Sequence, residues 1–450
     1  MEFWAAVFLF AVGFVMSVLI PTWQTPDEET HVKAFSKAIR NDSFYENLIE
    51  ELNPSGENVV MDADERTSLS DQLQLITKKP GYTRLEMMPR GITVGIIKYL
   101  PIVCGLMIGI LLGLPAYWVL QLAEWAGLVF YAVACYYALK KMPFKKEVLF
   151  LIMALPMSLQ QAGSVGYDSV VLSLSYLFLA YLLYLKFDSE TIGTKELVLS
   201  LFFLGILSYT KVVYVLFGLL YLLLPMDKIH IRIGRFEINK AWIKKYGLIA
   251  AVLGVGCLVA GVYYFRHNVF VQVLWGLVTE RERSWYLFQQ TMEIFHEYLL
   301  DSVIGNLGWL DAQLATWCVI FVYICLFSFA IAAGNVKGKT FSVIETIYIY
   351  LVFIVMFLMI FASMVNHTIT MTLYGVESDA AYNIHEALYQ IPFIGGFQGR
   401  YFLPFFPLLF LPMRSGARIK ENYVAAALIC VEAVVLFCTV QVLLNRYWIG

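Results

Sequence analysis

Charge is scarce in this chain. Only 15% of its 450 residues are Asp, Glu, Lys or Arg, against 60% apolar residues and a mean hydropathy of +0.70. That balance excludes the two or three soluble domains that the length would otherwise suggest. An excess of one sign is also missing: 32 Lys plus Arg stand against 34 Asp plus Glu, so there is no basic surface to neutralise nucleic-acid phosphates. The seven cysteines (Cys104, Cys135, Cys257, Cys318, Cys325, Cys430 and Cys438) lie in apolar runs with no CxxC pair and no repeated loop spacing. They indicate neither a disulfide framework nor a zinc site and read as lipid-facing or packing residues. No Walker loop, GxGxxG fingerprint, HExxH or GxSxG elbow occurs, which leaves ATP-driven transport and the soluble-enzyme classes without support.

What the sequence has in abundance is long apolar runs. The first, Phe3 to Ile20, has no basic leader and no small-x-small cleavage site, so it reads as a retained span. Further runs fall near 93–113, 116–138, 147–163, 168–186, 196–209, 212–225, 246–265, 313–333, 341–364, 400–413 and 421–443. Basic residues set their orientation. Lys140, Lys141, Lys145 and Lys146; Lys186 and Lys195; Lys228, Arg232, Arg235, Lys240, Lys244 and Lys245; Lys337 and Lys339; and Arg414, Arg418 and Lys420 make up more than half of the basic residues. All five groups fall on the cytoplasmic side if one early run fails to cross. The run at 93–113, with Pro101 and glycines at 105, 109 and 113, is expected to dip and return or to lie shallow. The same glycine spacing also fits an ordinary helix-packing face. The expected fold is an all-α polytopic membrane protein of about eleven transmembrane helices plus one re-entrant or shallow segment. A single membrane domain then spans 1–450, with outer regions at 21–92, 266–312 and 365–399.

Chemistry is sought in those outer regions. The first opens with PTWQTPDEETH, where Thr25, Pro26 and Glu28 are spaced as the N-cap, first and third residues of a helix. Acidic Asp27, Glu28 and Glu29 suit the positive end of such a helix, which is the plain reading. The sharper one is that carboxylates held at the membrane face, with His31, reach the headgroup of a lipid-linked substrate. Asp27 and His31, four apart, are also candidate ligands for a divalent metal such as Mg or Mn, although the signal is weak. Asp168, in GSVGYDS, is either the N-cap of the following helix or a second functional acid. Lys211, in SYTKVVYV, and Arg400, in GGFQGRYF, are lone cations at outer junctions of apolar segments, the second after a flexible glycine-rich stretch. Each is either an interfacial anchor or a phosphate ligand. TERERSWYLFQQTMEIFHEYLL suits a helix in the headgroup layer. His367 and His385 have no assigned role. NDS at 41–43 and NHT at 366–368 fit the N-glycosylation pattern, which is common by chance.

Six motifs in order, PDEETH, YLPIVCGLMIG before LGLPAY, ALPMSLQQAGSVGYDS, YTKVVYV, GNLGWLDAQL and QGRYFLPFFPLLFLP, resemble a bacterial membrane family, domain of unknown function 2142. One departure is visible: where that family leads one to expect an Arg after a Leu-Gly pair, this chain reads VLQLAEWAGL, with Glu124. The family in turn resembles the C-type (GT-C) glycosyltransferases, integral membrane enzymes that use polyprenyl-phosphate sugars. That resemblance implies a catalytic or metal-associated acid at Asp27 or Glu28, a second acid at Asp168, and a phosphate-facing cation at Arg400, with Lys211 as a weaker candidate. It implies an inverting sugar transfer at the outer face of the plasma membrane, from a polyprenyl-phosphate donor to a cell-envelope glycan, lipid or protein. A translocase for polysaccharide or lipid-linked oligosaccharide is the alternative, although no internal repeat suggests paired halves. A structural membrane partner, the third reading, leaves the polar residues idle.

Overall fold

The computed structural model describes residues 2–52, 69–332, 339–374, 383–413 and 421–449. Lys337, Arg414, Arg418 and Lys420 fall outside them, as do parts of the first and third outer regions. The chain is an all-α polytopic membrane protein. Among the described residues seven helices are long and apolar enough to cross a membrane: Glu2–Leu19, Val94–Leu112, Ala116–Lys141, Asp168–Phe187, Lys240–Tyr264, Val343–Leu373 and Tyr423–Tyr447. Three further apolar helices among the described residues are shorter, of 10–17 residues. Val212–Leu223 and Thr316–Ala332 are two of them. The run at 147–163 is broken into Lys146–Ala154 and Pro156–Ala162, because Pro156 cannot continue the helix before it.

The first helix and Ala116–Lys141 lie antiparallel. Gln121 and Trp125 donate to the Ser17 carbonyl and hydroxyl, Gly13 sits against Leu128, and Lys146 pairs with Glu2 at 2.5 Å. The chain between them therefore leaves and returns at one end. Segment 93–113 is one continuous helical run, Val94–Leu112, long enough to cross a membrane, and it does not turn back on itself. Thr93 donates to the Ala38 carbonyl at one of its ends (2.9 Å), and Tyr82 to the Leu114 carbonyl at the other (2.8 Å). Its glycines are a packing face as well. Added Cβ atoms at Gly105 and Gly109 would stand 2.1 Å from the Leu122 carbonyl oxygen and 2.9 Å from Val119 Cα, so the helix lies directly on the first half of Ala116–Lys141. That helix starts on Glu51, whose buried carboxylate accepts from the Ala116 N–H (2.6 Å) and the Gly81 N–H (2.9 Å).

Basic loops gather at the opposite end with the amino terminus. Lys186 pairs with Glu345, Lys339 with Asp188, and Lys228 donates to the Lys186 carbonyl. Buried Lys145 donates to the carbonyls of Phe410 and Leu411 (3.0 and 3.2 Å) and of Met413, satisfying groups that a broken helix end leaves open. Phe144, Phe187 and Phe341 close this end edge to face. The chain thus has two chemically distinct ends: one basic, the other carrying the first outer region.

Gly105→Val forces a side chain into the Leu122 backbone and is expected to lower the thermal midpoint in detergent, by an overpacking cost of about 1–3 kcal/mol. Gly254→Val, where a Cβ would meet nothing, is the control. Equal midpoints for the two variants would refute the close helix contact.

Candidate functional site

The turn that follows the first helix is tight: Gln24 donates to the Pro21 carbonyl, and both Trp23 and Asp27 adopt left-handed backbone angles (φ 67° and 71°). Non-glycine residues in that region store strain, and such strain clusters at functional sites. The expected capping box at Thr25 does not form. The helix begins at Glu28, two residues later than that spacing implies, with Asp27 at the N-cap and no side-chain cap bond. The reason is burial: Glu28, 4% exposed, turns inward to accept from the Val165 N–H (3.1 Å), tying this turn to the one before Asp168. Asp27 is left free to face Arg400.

Arg400 is 5% exposed in its side chain and donates through Nη2 to Asp27 Oδ2 at 2.6 Å. The glycines before it are locked: the Gly399 N–H donates to Ser302 Oγ at 2.7 Å, and a Cβ there would stand 2.3 Å from the Leu299 carbonyl oxygen. The expected flexible approach is thus a close backbone contact in which only glycine fits. Asp168 is the first residue of its helix and not the cap, which is Tyr167. Its carboxylate stands 3.8 Å from Lys211 Nζ, and Lys211 lies at the break between Thr194–Thr210 and Val212–Leu223, as expected. Two acid–cation pairs therefore meet at this end, joined by tyrosines: Lys211 lies over the rings of Tyr167 (5.3 Å) and Tyr401 (5.0 Å), and Arg400 over Tyr401 (5.3 Å). Asp168, Lys211, Arg400, Tyr401, Tyr214 and Gln161 line one narrow cleft.

His31 does not share a ligand face with Asp27. Its Nδ1 is 3.2 Å from the Tyr99 hydroxyl and its ring packs edge-on against Tyr167 (4.6 Å between centroids). Burial holds the His31 pKa below the ordinary histidine range, with Asp168 and Asp27 opposing. Asp27 is taken by Arg400 and His31 by Tyr99, and among the described residues no three His, Cys, Asp or Glu side chains come together to hold an ion. The pair does not fit a divalent metal, and no step is derived through one. Asn41 does not fit a glycan acceptor either: it is fully buried and donates to the carbonyls of Glu86 and Met88. His385 Nδ1 donates to Glu280 (2.9 Å) and belongs to neither of the two pairs.

Several neighbours were not singled out from sequence. Tyr167 and Tyr401 each stand beside a candidate charge, in GYDS and GRYF, and that adjacency was the available signal. Trp309 had none; it reaches this end through a hairpin pairing Asn306–Leu307 with Ala312–Gln313. Glu124, at the position of the departure noted above, is buried, accepts from Gln121 Nε2 (2.5 Å), and lines a cavity with Glu28.

Residues 8–409 match the family model described as a predicted membrane protein, DUF2142. The chain belongs to the DUF2142 family. The match takes in Glu28, both acid–cation pairs and the tyrosines between them. No curated protein and no solved structure matches the chain.

Burial raises the Glu28 pKa to about 7, against the pull of three backbone N–H groups. Between the usual carboxyl range and pH 7 the folded protein therefore keeps a proton that the unfolded chain releases, so Glu28 costs stability as pH rises through that window, on the order of 3 kcal/mol in full. The thermal midpoint of wild type relative to Glu28→Gln should fall between pH 5 and pH 8. A difference that stays flat over this range would contradict the buried carboxyl.

Proposed function

We propose that this DUF2142 protein is an inverting membrane glycosyltransferase that moves a sugar from a polyprenyl-phosphate donor to a glycan, lipid or protein acceptor outside the cytoplasm. One observation carries the reading: two acids and two cations, supplied by four separate parts of the chain, converge on a tyrosine-lined cleft at the end opposite the basic loops. By the rule that basic loops stay in the cytoplasm, that end faces outward in the plasma membrane. The likeness to C-type glycosyltransferases supports the same choice of donor.

In this mechanism the acceptor hydroxyl oxygen attacks the anomeric carbon and its proton passes to Asp27. The bond from that carbon to the phosphate oxygen breaks with its electron pair, releasing polyprenyl phosphate. Arg400 holds Asp27 in place in the resting protein, within a hydrogen bond of the site where a base must act. Arg400 and Lys211 stand where negative charge grows on the leaving phosphate, and fixed charges of that kind are among the largest contributions to catalysis. Asp168 holds Lys211 in place, and Tyr401 lies between the two cations. Glu28 sets the turn that presents Asp27.

The test is a transfer assay in lipid nanodiscs with labelled polyprenyl-phosphate sugars and cell-envelope acceptor. Asp27→Asn, which installs a residue that tolerates a left-handed φ, should abolish transfer while insertion holds, with a lower thermal midpoint because buried Arg400 loses its carboxylate. Arg400→Gln should lower turnover by roughly 100-fold or more, the scale of losing one transition-state charge contact. Full activity in Asp27→Asn would sink the assignment.

A further inference from the structure

A second cleft, of about 160 Å³, is lined in part by Asp27. The walls are Trp23, Trp309, Asp27, Glu29, Thr25 and Thr30, with Glu28 and Ile49 completing them, and neither Lys nor Arg is among them. Trp23 is 5% exposed, and its indole N–H has no hydrogen-bond partner among the described residues; the same holds for the indole N–H of Trp309. Buried donors without partners are costly, so an acceptor brought to them would be bound favourably.

Trp309 is held firmly. Gly308 and Leu310 on either side of it have left-handed angles (φ 61° and 70°), and the Gln160 side chain pins Gly308 twice, donating to its carbonyl at 3.0 Å and accepting from its N–H at 2.9 Å. Across the cleft the Tyr45 hydroxyl fixes Glu29. Rigid aromatic and polar walls are the mark of a preorganised site.

We propose that this cleft binds a neutral, polyhydroxylated ligand, the sugar end of a glycan acceptor. The chemistry of the walls selects it. Carboxylates accept hydrogen bonds and indole N–H groups donate them, so the matching ligand group must both donate and accept, as a hydroxyl does and an ammonium does not. An indole face offers a flat apolar surface for the C–H face of a sugar ring. A phosphate or uronate would meet carboxylates and no cation that lines the cleft. Asp27 lines this cleft and pairs with Arg400, which lines the charged cleft, so a hydroxyl seated here lies beside the base. The proposal rests on the transferase reading for the word acceptor, but the ligand class stands on the cleft alone.

The experiment titrates the full-length protein in nanodiscs with neutral oligosaccharides of glucose, galactose, mannose and N-acetylglucosamine, with an oligouronate and with choline, reading tryptophan fluorescence and thermal midpoint. At least one neutral oligosaccharide should bind saturably; Trp309→Ala should weaken it about tenfold, and Glu29→Gln several-fold. Trp309→Phe keeps a ring without the N–H and should fall between wild type and Trp309→Ala, which guards against a misfolded alanine variant. Polyprenyl phosphate should shift the midpoint of Trp309→Ala as it does wild type. Preference for oligouronate or choline, binding of no neutral sugar, or neutral-sugar affinity unchanged by both Trp309 variants would overturn the proposal. Glycan binding without any shift by polyprenyl phosphate would overturn the transferase reading alone.

Discussion

A guanidinium removed from water must find a negative partner, and around Arg400 that constraint organises one whole end of the molecule. Its side chain is 5% exposed, and Asp27 is the carboxylate within reach, at 2.6 Å. Holding Asp27 there requires the left-handed turn after the first helix, and that turn is secured by Glu28, whose carboxylate binds the backbone just before Asp168. Asp168 in turn neutralises Lys211. Taking one partner from a buried pair leaves an uncompensated charge, which is far more damaging than never having had the pair. The four groups therefore stand or fall together.

The same constraint explains how four charged groups can gather where water is scarce. Two acids and two cations cancel, so the resting cluster carries little net charge into a poorly hydrated place. Each cation is nevertheless held by a single carboxylate, and the Nε of Arg400 has no partner among the described residues. An arriving anion finds donors not yet saturated. Tyrosines complete the arrangement: their ring faces lie under both cations and favour positive charge without competing as full anions.

Much of this was legible in the sequence because membrane solvent punishes charge. Asp27, Asp168, Lys211 and Arg400 stood out simply as polar residues at the ends of apolar runs, and the structure brings all four together. Legibility failed where contacts were long in sequence. Thr25, Pro26 and Glu28 have the spacing of a capping box, but local spacing does not reveal that Glu28 is claimed by Val165. The glycines before Arg400 looked flexible, since a glycine needed for close packing reads the same as one needed for freedom. Asn41 matched a surface sequon while serving as a buried tie to residues 86 and 88. Trp309 sits in a hairpin with no charge beside it, so nothing local marked it.

The pair at the centre of the site joins residues 373 positions apart. During synthesis, Asp27 emerges long before Arg400. Every intermediate in biogenesis thus carries half a site. A truncated or stalled chain, however well its early helices insert, has the acid without its clamp. The charge cluster is completed in a single late event, after nearly four hundred residues have been added behind Asp27.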